Sequence, residues 1–344
     1  MNFIVLGAGA IGCYVGGRLA LSGQHVTLVG RPRVIDALVA NGLTVSDLDG
    51  FSGQPQGAQL QLAPSLQEVV LNGEPTVILL CVKGGATLAA AREIAQVCKP
   101  GMTIVSLQNG VDNLARIQAG APQMQVLAGM VPFNVVFDVV MSQPVRVHRA
   151  TAGTLHIERS ATSGQFMPLF NAAGLPTELI DNMRAVQWGK LLLNLNNPVN
   201  ALSELPLQAQ LRDRSLRRVF ADLQSEALTV LARAGIAPAQ VTPVAPRALP
   251  PLLRLPNWIF TRVAARMLRM DASARSSMAD DLQHGRVTEI DDLCGAVVRL
   301  ARANGLEAPL NEAMCQLIPA HALGQAMSGE QMVTLTVMQF SCWF

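Results

Sequence analysis

Lys190, Asn194 and Asn197 stand at i, i+4 and i+7 in the stretch WGKLLLNLNNPVNAL, a spacing that stacks them on one face of a helix. Leu191, Leu192, Leu193 and Leu195 cover most of the remaining surface, which implies burial almost all round. Polar groups buried there without partners are costly, about 2–7 kcal/mol for one amide-like group. Something polar must therefore face the stripe. It is either a ligand, or an acid that pairs with Lys190 while the asparagines bond to loop backbone. Pro198 lacks an N–H and crowds the Asn194 carbonyl, which predicts a kink. Ser276, Ser277 and Glu289, in SSMADDLQHGRVTEIDDLCG, lie ahead of another apolar helical stretch, although Thr288 and Glu289 equally suit the start of a helix.

A second chemical signature opens the chain. In NFIVLGAGAIG a strand-like run meets Gly7, Gly9 and Gly12, with Ala8, Ala10 and Ile11 between them, and a helical stretch follows. The first glycine of such a loop permits the tight turn, the second admits a pyrophosphate, and the third lets helix and strand pack closely. Free N–H groups at the helix start favour the negative charge. An NAD-selective site carries an acid at the end of the next strand. Here HVTLVG runs instead into Arg31, Pro32 and Arg33. A guanidinium suits a 2′-phosphate, so the cofactor reads as NADP(H). Lys83 after TVILLCV and Asn109 after TIVSLQ stand at strand ends, where ligands of open α/β sheets collect. Lys83 is a candidate for a cofactor phosphate or ribose, and Asn109 for the nicotinamide ribose or a substrate.

These residues need a scaffold. Strand-like and helical runs alternate in the first half, as expected for a parallel sheet built from βαβ units. The segments VRVHRA and GTLHIE read as a later antiparallel pair. Long helical patterns take over near Asp181, so the expected organisation is an α/β Rossmann-type domain at 1–180 and an all-α domain at 181–344. The Pro-rich APAQVTPVAPRALPPLLRLPN reads as an extended connection, and the tail MVTLTVMQFSCWF as a docked strand or helix. The 344 residues carry a formal net charge of only +2, which suggests neither a nucleic-acid nor a membrane partner. The first strand begins almost at Met1, leaving no room for a signal peptide. Six scattered cysteines fit reduced thiols in a cytoplasmic protein better than a disulfide framework or a metal site.

Taken together, GAGAIG, Arg31, CVKGGAT, LQNG, WGKLLLN and SSMADDLQHGRVTEID resemble the ketopantoate reductases (2-dehydropantoate 2-reductases) over most of the chain. The resemblance implies a Rossmann domain joined to a helical domain, with the active site in the cleft between them. It also implies NADPH-dependent reduction of ketopantoate, a small 2-oxo acid, to pantoate on the pantothenate and coenzyme A pathway. By the same resemblance Lys190 donates the proton to the 2-oxo oxygen, and Glu289 is the acid near the lysine and the cofactor. Gly7 to Gly12, Arg31, Lys83 and Asn109 bind NADPH, with Asn109 also close to substrate. Asn194 and Ser277 hold the substrate's carboxylate and hydroxyl.

The departures fall at the substrate. The family's second asparagine lies eight residues after the lysine, directly before proline. Here the Asn-Pro pair comes one residue early, which assigns the role to Asn197, with Asn200 as the fallback. A further polar contact of the family meets Leu205–Pro206–Leu207. Reduction of another 2-oxo acid or of an imine, and a silent NADP-sensing protein, are the competing readings. The hydride step needs no metal, and the oligomeric state is left open, a homodimer included.

Overall fold

The computed structural model describes residues 1–71, 73–140, 142–265 and 274–334. The chain forms two compact units, Met1–Met183 and Arg184–Phe344.

In the first unit the strands are β1 (Asn2–Leu6), β2 (His25–Val29), β3 (Leu43–Asp47), β4 (Ser52–Gly53), β5 (Leu60–Ala63), β6 (Thr76–Leu80), β7 (Thr103–Ser106), β8 (Gln125–Met130), β9 (Val135–Asp138), β10 (Val145–Arg149), β11 (Leu155–Glu158) and β12 (Thr177–Ile180). Among the described residues, eight of them form one sheet in the order β12-β11-β8-β7-β6-β1-β2-β5. The run from β5 to β8 is parallel, with β11 antiparallel to β8. Counted along the parallel strands alone, the order is that of a doubly wound dinucleotide fold, and the direction of winding reverses between β1 and β6.

Side chains alternate across this sheet with period two. Phe3, Val5, Val77 and Leu79 enter one core, whereas Ile4, Leu6, Ile78 and Leu80 enter the other. Burial on both faces explains why these strands read as continuous apolar runs. The helices covering the sheet are α1 (Ala10–Leu21), α2 (Pro32–Asn41), α3 (Thr87–Val97), α4 (Asn113–Gly120) and α5 (Ala161–Ala172).

The remaining strands make a second sheet, β4-β3-β10-β9. This corrects the expected antiparallel pairing of VRVHRA with GTLHIE. The first segment, β10, lies parallel to β3 and antiparallel to β9, whereas the second, β11, joins the large sheet. Gly153, at φ +159°, sits in the short connection between them, where the chain passes from one sheet to the other. Arg18 on α1 ties the small sheet down. It donates to the Asp47 carboxylate at 2.8 Å and to the Ala173 carbonyl at 2.7 Å, with Arg149 also facing Asp47.

The second unit is helical: α6 (Met183–Asn194, beginning at the last residue of the first unit), α7 (Asn196–Ser203), α8 (Leu207–Arg212), α9 (Arg214–Arg233), α10 (Leu249–Leu253), α11 (Asn257–Val263), α12 (Ser277–Gln283), α13 (Ile290–Ala303) and α14 (Pro309–Ala320). The Pro-rich stretch is only partly the extended connection expected. After Val244 it turns through a short 3-10 segment, Pro246–Ala248, into α10, with Pro250 in the first turn where no N–H is needed. Arg217, fully buried on α9, holds this stretch through the carbonyls of Leu253 and Leu255 and the side chain of Asn257. Most of the C-terminal tail, 335–344, lies outside the described residues. Among the described residues no helix is long and apolar enough to cross a membrane.

Candidate functional site

The glycine loop, Arg31, Lys83 and Asn109 fall at the carboxyl ends of four consecutive strands, β1, β2, β6 and β7. Gly7, at φ +115°, turns the chain out of β1, and a Cβ there would meet the Cys81 carbonyl carbon and the Val82 nitrogen at 2.7 Å. A Cβ on Gly12 would stand 2.1 Å from the Gly7 carbonyl oxygen. Gly9 differs: a Cβ built there has nothing within 4 Å, so it points into open space at the start of α1. The first N–H groups of that helix lack intrahelical acceptors. Open space beside unsatisfied donors at a helix N-terminus is a cradle that fits a pyrophosphate.

The β2 end is fastened to the same loop. Gly7 and Ala8 both donate to the Val29 carbonyl, at 2.8 and 3.0 Å. Gly30 has no Cβ to strike that of Ala8, which would lie 2.5 Å away. Arg31 follows at once, exposed, as the residue preceding α2. Its backbone is fixed beside the cradle while its guanidinium is in water, a disposition suited to an added phosphate. Lys83 is exposed and begins the turn Gly84–Ala86. Asn109 is half-buried, and its carbonyl accepts from Asn113 Nδ2 at 2.6 Å.

In the second unit the predicted kink is present. α6 ends at Asn194, Leu195 separates the helices, and α7 starts at Asn196. Pro198 removes the N–H that would have continued the ladder to Asn194. Gly189 lets the chain at Ala239 pass close to α6: a Cβ there would lie 2.3 Å from the Ala239 carbonyl oxygen, and Ala239 N–H donates to Ala185 at 2.8 Å.

Lys190 is half-buried on this helix, and desolvation pulls its pKa below the ordinary lysine value. No carboxylate among the described residues contributes to that shift. Among the described residues, the side chains of Lys190, Asn194 and Asn197 have neither a hydrogen-bond nor an ion-pair partner within the protein. No acid among the described residues is therefore paired with Lys190 as the structural alternative would require.

Asn200, the fallback for Asn197, is a structural residue. It is fully buried, donates to the Leu205 carbonyl at 2.8 Å, and accepts from Ser276 N–H at 2.9 Å. Asn196 exchanges two hydrogen bonds with Gln210, at 3.1 and 2.8 Å. Ser276 caps α12 through Ala279 N–H and donates to the Asn197 carbonyl at 3.3 Å. That bond brings Ser277, exposed at the first position of α12, next to the Asn197 turn. Glu289 precedes α13 and is half-buried. Its carbonyl receives the first helical N–H groups, and its side chain does not cap the helix.

Sequence reasoning passed over a set of buried side chains behind the strand ends: Ser106, Gln108, Thr87 and Asn113. Gln108 adjoins Asn109 in LQNG and Thr87 closes CVKGGAT, so adjacency to the motif residues was the available signal.

The comparisons with known proteins cover both units. The sequence model described as ketopantoate reductase PanE/ApbA matches residues 3–161, and that of the ketopantoate reductase C-terminal domain matches 182–322. The 2-dehydropantoate 2-reductase of Pyrococcus horikoshii is 28% identical over 331 residues, covering 93% of this chain and 97% of its own. That of Halobacterium salinarum is 28% identical, with 92% and 98% covered. A solved ketopantoate reductase from Ralstonia eutropha is 30% identical and superposes with a TM-score of 0.75 over 93% of this chain and 98% of its own. With both units matched and almost the full length of each relative covered, the chain belongs to the ketopantoate reductase family of oxidoreductases.

Proposed function

We propose that this protein catalyses the NADPH-dependent reduction of 2-dehydropantoate (ketopantoate) to pantoate. The observation that carries the reading is Lys190: a half-buried ammonium with depressed pKa and no partner among the described residues. A structural lysine in that setting would be paired; a proton donor must be left available. The family's full-length match supports the substrate.

The cofactor, when bound, supplies the hydride that adds to C2 of the 2-oxo acid. The free N–H groups at the start of α1, those of Ala10 to Gly12, would hold its pyrophosphate beside the open space at Gly9, and Arg31 would take the 2′-phosphate that separates NADP(H) from NAD(H). Lys83 would hold a phosphate or ribose of the cofactor, and Asn109 its nicotinamide ribose and the substrate. Lys190 Nζ donates to the 2-oxo oxygen, offsets the negative charge that develops there, and gives up its proton. Asn194, Asn197 and Ser277 hold the carboxylate and hydroxyl of the substrate, and Glu289 serves as the acid beside the lysine and the cofactor. Residues 1–180 are then the NADP-binding domain and 181–344 the substrate and catalytic domain. We assign the protein to the cytoplasm, in keeping with the free thiols of Cys13, Cys81, Cys98, Cys294 and Cys315.

A second reading, reduction of another bulky 2-oxo acid or an imine, is favoured by one feature. Where the family has a polar contact, this chain has Leu205–Pro206–Leu207, whose backbone is engaged with Asn200 and Ala274. A panel of branched 2-oxo acids and imines, ranked by kcat/KM with NADPH, decides between them. Ketopantoate ranking first supports the proposal; a bulkier acid or an imine ahead by tenfold or more replaces it. Tight NADPH binding with no turnover on any member leaves the sensor reading.

A further inference from the structure

Behind the strand ends a single chain of buried hydrogen bonds links the Lys83 loop to the Asn109 loop. Ser106 Oγ donates to Gln108 Oε1 at 3.0 Å. Gln108 Nε2 donates both to the Val82 carbonyl, at 2.8 Å, and to Thr87 Oγ1, at 2.7 Å. Thr87 Oγ1 in turn donates to Asn113 Oδ1 at 3.0 Å, and Asn113 Nδ2 donates to the Asn109 carbonyl at 2.6 Å. Thr87 is 0% and Asn113 2% exposed, so neither can replace a lost partner with bulk water. Thr87 is the only member whose hydroxyl both accepts from Gln108 and donates to Asn113, which gives the chain one direction and one weak point.

We infer that Gln108, Thr87 and Asn113 are positioning residues for reduction, acting through Lys83 and Asn109. This rests on the proposed roles of those two residues in holding the cofactor. The Val82 carbonyl belongs to the peptide that carries the Lys83 N–H, so Gln108 orients the backbone from which Lys83 projects. Asn113 does the same for Asn109 from the first turn of α4. A second tie, from Arg116 on α4 to the Gly84 carbonyl at 3.1 Å, holds the same loop from the outside. The two loops thus share one buried frame, and a threonine hydroxyl sets its register. Fixing catalytic loops from behind in this way keeps reacting groups within the narrow geometry that hydride transfer requires.

The test compares Thr87→Val, which removes the hydroxyl at constant shape, with Thr87→Ser, which restores it, and with Asn113→Ala, which cuts the Asn109 arm and the acceptor of the Thr87 hydroxyl while leaving the Gln108 bonds to Val82 and Thr87 in place. NADPH affinity is read by fluorescence titration, kinetics by steady-state NADPH oxidation, and folding by thermal melts. The expected result for Thr87→Val is NADPH affinity weakened about tenfold and kcat lowered by a similar factor, with Thr87→Ser within about twofold of the parent. Asn113→Ala is expected to lower kcat more than it weakens NADPH. Melting temperatures that fall while NADPH affinity and kcat stay at the parental values would overturn the inference, whichever variant is folded well enough to measure. If the parent binds NADPH yet turns over no 2-oxo acid, the proposed function fails. The affinities of Thr87→Val and Thr87→Ser then still decide the positioning role.

Discussion

The carbonyl oxygen of Gly7 lies where a Cβ of residue 12 would be, 2.1 Å from its ideal position, whereas the corresponding space at Gly9 is empty. Two glycines of one motif therefore do different work. Gly12→Ala forces backbone to move and is expected to destabilise the fold by about 1–3 kcal/mol. Gly9→Ala is expected to leave stability within about 0.5 kcal/mol while weakening NADPH binding at least tenfold. Urea denaturation beside NADPH titration of both variants checks the contrast.

Arg31 is exposed and follows directly on the fastened end of β2. Charge-assisted hydrogen bonds contribute about 1.5–3 kcal/mol each. Arg31→Ala is thus expected to raise the KM for NADPH by one to two orders of magnitude and to leave the KM for NADH unchanged. Equal losses with both cofactors would place Arg31 away from the 2′-phosphate.

Lys190 sets a pH dependence of known sign. Burial favours its neutral form, so its folded pKa is lowered while the unfolded chain keeps the ordinary value. Between these two values the unfolded state binds more protons, and stability rises with pH. The penalty is therefore complete below the folded pKa and is relieved as pH climbs towards the ordinary lysine range. Lys190→Met is expected to melt higher than the parent at neutral pH, with the gap closing at alkaline pH. Activity runs the other way, with kcat falling as pH rises through the lowered pKa and the proton donor is lost.

Asp47 shows the opposite linkage. Burial pushes its pKa up, but N–H donors from Phe51 and Asp49 and the charges of Arg149 and Arg18 outweigh this, and the net shift is downward. Its contribution is present above the ordinary aspartate value and is lost as pH falls through the lowered one. Asp47→Asn leaves the buried Arg18 guanidinium facing a neutral side chain, while Arg149 keeps its pair with Asp49, and about 3–5 kcal/mol of stability is expected to go. Chemical denaturation at neutral and acid pH, with parent and variant converging in acid, tests both statements.

The dinucleotide core was legible because its strands are buried on both faces and its glycines are required by close contacts within one loop. The α6 kink was legible because proline acts on the backbone a few residues away. The two misread regions depended on distant partners. Nothing local tells β10 to pair with β3, about a hundred residues earlier, and the helical turns of the Pro-rich stretch are held by Arg217 on another helix. The same limit hid the role of Asn200, whose partners Leu205 and Ser276 are set by packing. It also hid the Thr87 relay, in which each residue type is ordinary and only the meeting of four elements makes a chain.

The most direct test of the account is the rate of NADPH oxidation by ketopantoate in the parent and in Lys190→Ala, with NADPH affinity measured on the same samples. The account predicts turnover by the parent and a loss of several orders of magnitude in kcat for the variant, at unchanged NADPH affinity. A variant that retains kcat within about tenfold would contradict it, because the proton would then have to come from another residue.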